Sequence, residues 1–136
     1  MRILLAMDDS DFARQALEKT IHLATLEESR VFVITVIPQL GSIDELSPAM
    51  TERMRTAGEA ILHGAEERLN AVGITCETML EQGVSPADNI IRAAVETAAD
   101  LIVMGHRGRA NLEKFLLGSV AWRVISHAAC SVLIVR

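Results

Sequence analysis

An unbroken apolar run, Leu101-Ile102-Val103-Met104, ends at Gly105, and Gly108, Gly118 and Ser119 follow it. Four apolar residues in a row, with no alternation, describe a short strand covered on both faces. Such a strand belongs inside a parallel sheet with helices packed on either side. Val120 to His127 then has helical spacing. The local order is therefore strand, glycine-bearing loop, helix start. Glycines let backbone N–H groups approach an oxygen closely, and a fresh helix start offers unpaired N–H donors at the positive end of its dipole. This is the chemistry of an anion cradle.

The remaining segments repeat the strand–helix alternation. Ile3 to Met7 is a buried-strand candidate, and it runs into Asp8-Asp9-Ser10-Asp11, a polar cluster with helix-capping chemistry. Phe12, Ala16, Leu17 and Ile21 recur at helical spacing, and the helix should run to about Glu27. Val31 to Ile37 is rich in β-branched residues and ends at Pro38. Gln39 to Pro48 reads as a mobile connection. Pro48 to Asn70 is helical in pattern, with Met50, Met54, Ala57, Ile61, Ala65 and Leu69 on the inward face. Ile74 to Leu80 alternates, with Thr75, Glu77 and Glu81 outward, which marks a sheet edge. Gly83 to Pro86 is a loop, and a helix from Ser85 or Pro86 turns Ile90, Ile91, Ala94 and Ala98 inward. Cys130 to Arg136 supplies a fifth strand. Five strands separated by four helices predict one α/β domain over residues 1–136, with a parallel sheet, right-handed crossovers and helices on both faces.

Charge and cysteine usage narrow the function. The net charge is −5, and a general nucleic-acid binder needs a basic face. A local basic cluster, His106, Arg107, Arg109 and Lys114, nevertheless falls within the glycine loop, where it suits a phosphate. Cys76 and Cys130 form no CxxC pair and read as buried, reduced thiols. The absence of a leader pattern and of a membrane-length apolar run predicts a cytoplasmic protein. Asp8 follows the first strand at the carboxyl edge, where open α/β sheets take their ligands, whereas Asp9 and Asp11 read as capping and dipole compensation. His22, His63 and His127 read as helix-surface residues because no metal-ligand spacing recurs.

The spacing Gly105-x2-Gly108-x9-Gly118-Ser119 resembles the nucleotide-binding signature of the universal stress protein family. ILLAMDDSDFARQAL is similar to that family's first strand and helix, DLIVMGHRG to its fourth strand and loop, and LLGSVAWRVISHAACSVLIVR to its final helix and strand. The resemblance implies a doubly wound, adenine nucleotide alpha hydrolase-like sheet of order 3-2-1-4-5, with its switch point between strands 1 and 4. It also implies a site for ATP with Mg2+. In that site Ala6, Met7 and Asp8 contact adenosine, and the backbone of Val36 reads the adenine edge. Met104 and Gly105 lie along the nucleoside, Arg107 accompanies the loop, and Gly108, Gly118, Ser119 and Val120 cradle phosphate. His106 stands where a small hydroxyl residue is common, either as an exposed loop residue or as a phosphate contact. Ala121 stands where Ser or Thr often helps hold phosphate. The resemblance further implies a homodimer through Val132 to Val135, an apolar edge strand that pairs with its copy.

Catalytic chemistry is thin. The chain has no Walker A sequence, no P-loop lysine and no nucleophile elbow. The expected function is an ATP-binding module of the stress response, acting through a partner surface. The alternatives are a slow Mg-dependent ATPase using the same pocket and a nucleotide-free dimeric interaction protein.

Overall fold

A computed structural model describes residues 1–39, 47–108 and 117–136. The elements alternate as β1 (Arg2–Ala6), α1 (Asp11–Leu26), β2 (Arg30–Pro38), α2 (Pro48–Asn70), β3 (Cys76–Gly83), α3 (Pro86–Glu96), β4 (Leu101–Gly105), α4 (Ser119–His127) and β5 (Ser131–Val135). The five strands form one sheet of order β3-β2-β1-β4-β5, the order that the resemblance implies, with every neighbouring pair parallel, as the alternation predicts.

Side-chain parity divides the core. Successive strand residues point to opposite faces. Ile3, Leu5, Val31, Val33 and Val103 therefore meet Ala16, Leu17, Leu62 and Leu69 of α1 and α2. Leu4, Phe32, Ile34, Ile102 and Met104 meet Ile90, Ala93, Ala121 and Val124 of α3 and α4 on the other face. The central strands need apolar residues at both parities, which is why β1, β2 and β4 read as unbroken runs. On β3 one neighbour is missing, so Glu77 and Thr78 are exposed.

Several boundaries differ from the sequence reading. β3 begins at Cys76 and continues to Gly83, because β2 offers partners as far as Pro38, which pairs with Gly83. Glu81, expected outward, is half-buried and takes a hydrogen bond from Asn89 Nδ2 at 3.0 Å. Met50 and Ala57 are exposed, and the buried face of α2 is Gly58, Leu62, Ala65 and Leu69. Ala98 lies beyond the end of α3 with φ 51°, a left-handed residue closing the helix, and it faces solvent. Cys76 and Cys130 are free but only half-buried, and burial pushes both thiols up from their ordinary value. Residues 40–46 of the expected Gln39 to Pro48 connection lie outside the described residues. Among the described residues, no helix is long and apolar enough to cross a membrane.

Candidate functional site

The carboxyl ends of β1, β2 and β4 open into a cleft of about 1010 Å³. Its position follows from topology. β1 sends its chain to β2 on one side while β4 lies on the other, and the outgoing segments part there. Ala6, Met7 and Asp8 enter the wall from β1, and Val36 enters from β2. Met104, Gly105, Arg107 and Gly108 come from β4 and its loop. Gly118, Ser119 and Val120 complete the wall at the start of α4. The eleven residues that the resemblance implies for the nucleotide site thus line one cleft. Arg109 and Lys114 of the basic cluster lie outside the described residues.

Backbone groups add to the polarity that Asp8, Asp9, Ser10, Thr35, Arg107 and Ser119 bring to this cleft. In the β1–β2 ladder the N–H of Met7 donates to the carbonyl of Ile34 at 2.8 Å. Even-numbered residues of β2 turn their backbone groups toward β1, but β1 ends at Ala6. Among the described residues no backbone bond continues the ladder to Val36, so its N–H and carbonyl face the cleft side. At α4 the first helical bond is Trp122 N–H to the Gly118 carbonyl, 2.9 Å, and Gly118 supplies no side-chain cap. The N–H groups of Ser119, Val120 and Ala121 precede that first bond at the positive end of the helix. Helices α1 and α2 differ, for Ser10 Oγ accepts from Ala13 N–H and Ser47 Oγ accepts from Met50 N–H.

The glycines allow close approach. A Cβ on Gly118 would lie 2.9 Å from Arg107 Cα, and the Gly118 N–H donates to the His106 carbonyl at 2.9 Å. The two ends of the loop are thereby closed on each other. A Cβ on Gly108 would lie 3.1 Å from Asp8 Oδ2. Asp8 Oδ1 accepts the Ser10 N–H at 2.8 Å, so one carboxylate oxygen holds the turn into α1 and the other faces the glycine loop. Ser10, not Asp9 or Asp11, caps α1; Asp11 stands in its first turn, where it compensates the dipole as expected, and Asp9 lines the cleft. The Arg107 guanidinium lies over the Phe12 ring at 5.0 Å.

His106 is neither an exposed loop residue nor part of the cleft wall. It is 5 % exposed and packs against Phe12 with ring centroids 5.9 Å apart. Its N–H donates to the Val135 carbonyl at 2.7 Å, which pins the loop to the end of β5. Desolvation, with the Arg136 and Arg107 charges, lowers its pKa below the ordinary 6.5. As pH falls through 6.5 the unfolded chain therefore takes up this proton first. The stability contribution of neutral His106 is complete above that pH. It is lost on acidification, by at most about 1.4 kcal/mol per pH unit. We expect His106→Leu to remove this part of the pH dependence of Tm between pH 7 and 5. An unchanged profile would show that the ring does not titrate in that window.

The α2 wall of the cleft is not evident from sequence spacing. Met54, Ala57, Gly58 and Ile61 line it, together with Thr35, Ile37 and Pro38 of β2 and Trp122 of α4. Helix length is the signal that could have found it. The 23 residues of α2 span about 34 Å, whereas the 8 residues of β3 span about 26 Å. Part of the helix must overhang the sheet, and its apolar residues there wall the cleft.

A doubly wound parallel sheet with a backbone-lined cleft at its switch point is the architecture of nucleotide-type α/β binding proteins. The chain belongs to the universal stress protein family, whose family model matches residues 1–136. It is 35% identical to a universal stress protein of Methanocaldococcus jannaschii over 139 residues, covering 99% of this chain and 81% of that protein. It is 32% identical to universal stress protein YxiE of Bacillus subtilis, covering 99% and 98%. The solved universal stress protein from Archaeoglobus fulgidus superposes with a TM-score of 0.82 at 28% identity, covering 100% and 98%. The Archaeoglobus fulgidus protein in complex with dAMP superposes at 0.78 with 26% identity, covering 100% and 98%. A universal stress protein in complex with cAMP superposes at 0.76 with 27% identity, covering 100% and 97%.

Proposed function

We propose that the chain is an ATP-binding module of the stress response, and that Mg2+ arrives with the nucleotide. The observation that carries this reading is the uncapped start of α4, closed against Arg107 and facing the same cleft as Asp8 and the open backbone edge at Val36. In this reading the base lies toward Val36 and Met104, and Asp8 faces the ribose. The phosphates meet Gly108, Gly118, Ser119 and Val120, with Arg107 beside them. The dAMP and cAMP complexes of structural neighbours support an adenine nucleotide in this fold. Mg2+ is usually held by one or two carboxylates together with phosphate oxygens, and Asp8 and Asp9 line the cleft. Binding changes the surface offered to a cytoplasmic partner. β5, an edge strand whose Val132, Leu133 and Ile134 are only half-buried, pairs with its copy across a two-fold axis to form a homodimer.

Trp122 is the only tryptophan in the chain and lines the cleft, so its fluorescence reports occupancy. The purified protein, denatured, is expected to release an adenine nucleotide. Stripped and refolded, it should bind ATP with Mg2+ in a fluorescence and calorimetric titration and scatter light as a dimer. No released nucleotide and no response to ATP would leave the dimeric interaction protein as the reading, and a monomer mass would remove the dimer.

A further inference from the structure

Thr35 carries an unexplained hydroxyl. It is 4 % exposed, and among the described residues its Oγ1 has no hydrogen-bond partner. Two other buried threonines in this chain behave differently. Thr20 Oγ1 donates to the Ala16 carbonyl at 2.9 Å, and Thr97 Oγ1 donates to the Ala93 carbonyl at 2.7 Å. A helix or helix end offers a carbonyl four residues back, which a strand does not. Thr35 sits in β2, level with Leu80 of β3, and its parity turns it toward the α2 face. Val33 and Ile37 share that face of the strand. Valine has nearly the same shape, suits the strand and leaves no unpaired hydroxyl, so stability alone does not account for threonine.

The cleft supplies a reason. Thr35 lines it, and among the described residues that β2 and α2 contribute to the wall it has the only polar side chain. Pockets of this kind are mostly apolar and fix ligand orientation with a few placed polar groups. The hydroxyl can both donate and accept, and rotation about χ1 exchanges it with the methyl group among staggered wells. It can thus turn to a ligand atom without a change in side-chain volume.

We propose that Thr35 is a base-reading residue of the nucleotide site, its Oγ1 hydrogen-bonding to a ring nitrogen or to the 6-amino group of an adenine that rests at the Val36 edge of β2. This rests on the nucleotide reading of the cleft and adds a specificity determinant to it. The open backbone edge of Val36 and the hydroxyl of Thr35 are consecutive on one strand, so a single base can be oriented by both.

The test is a titration of wild type, Thr35→Val, Thr35→Ala and Thr35→Ser with ATP and Mg2+. The titration is repeated with the triphosphates of purine riboside and of 1-, 3- and 7-deazaadenosine. Losing the hydroxyl should weaken ATP binding about 2- to 13-fold, the range of one net hydrogen bond, and Thr35→Ser should bind like wild type. The analogue lacking the partner atom should be equally weak for wild type and for Thr35→Val. Thermal melts identify the folded variants, and either Val or Ala suffices. ATP binding within twofold of wild type in a folded variant without the hydroxyl overturns this inference and leaves the nucleotide site standing. An equal loss for ATP and for every analogue also overturns it, since the effect would then be one of shape. If wild type itself fails to bind ATP, the nucleotide reading falls and takes this inference with it.

Discussion

Gly118→Val is expected to lower the affinity for ATP roughly 100-fold or more while leaving the chain folded. Glycine is required here for space and not for an unusual backbone angle, since φ is −62° at this position. Any Cβ would press on Arg107, 2.9 Å from its Cα and 3.2 Å from its Cβ. Backbone cannot retreat as a flexible side chain can. Relief therefore requires moving the start of α4 away from the loop, which opens the Gly118 to His106 bond and re-aims the N–H groups of Ser119 and Val120. Hydrogen bonds to a charged acceptor contribute about 1.5–3 kcal/mol each, so misplacing two of them gives the expected factor. The site lies beyond the carboxyl ends of the strands and α4 retains Ala121 and Val124 in the core, so the fold should survive. Calorimetry beside circular dichroism checks both halves of the statement. Wild-type affinity in a folded Gly118→Val protein would remove the phosphate from this end of the cleft.

The readable parts of this fold are those governed by short-range patterning. The runs at Ile3, Val31 and Leu101 place three central strands because both parities are apolar there, and helical spacing recovers α1 and α4 to within a residue or two. What failed depends on contacts distant in sequence. β3 extends to Gly83 because β2 lies beside it, which no local pattern encodes. His106 looks like a loop residue until α1 brings Phe12 over it and β5 takes up its N–H. The polar end of the site was legible because Asp8, Gly108, Gly118 and Ser119 are unusual residues at strand and helix ends. The apolar end was not, because Met54, Ile61 and Ile37 use the same residue types and spacing as the core. Thr35, a single hydroxyl in a strand, differs from a core residue only through its missing partner.

Gly105→Ala should act in a different way from Gly118→Val, although both glycines belong to one sequence motif. A Cβ on Gly105 would lie 2.7 Å from Phe12 Cβ and 2.9 Å from the Phe12 carbonyl carbon. The obstacle is the first turn of α1, which rests directly on the end of β4. Phe12 has Arg107 and His106 packed against its ring, so it cannot withdraw alone. Overpacking of this kind costs about 1–3 kcal/mol, and here it displaces the α1 start together with the loop beside it. We expect Gly105→Ala to lower the unfolding free energy by that amount, read as a lower urea midpoint at an unchanged slope. Its folded fraction should show a smaller loss of ATP affinity than Gly118→Val. The physical distinction is where the added methyl group presses, for Gly105 separates two packed elements and Gly118 closes a ring of donors. If Gly105→Ala instead kept full stability and lost binding to the same degree as Gly118→Val, both glycines would belong to the cradle itself, and the close packing of α1 on β4 would have no energetic weight.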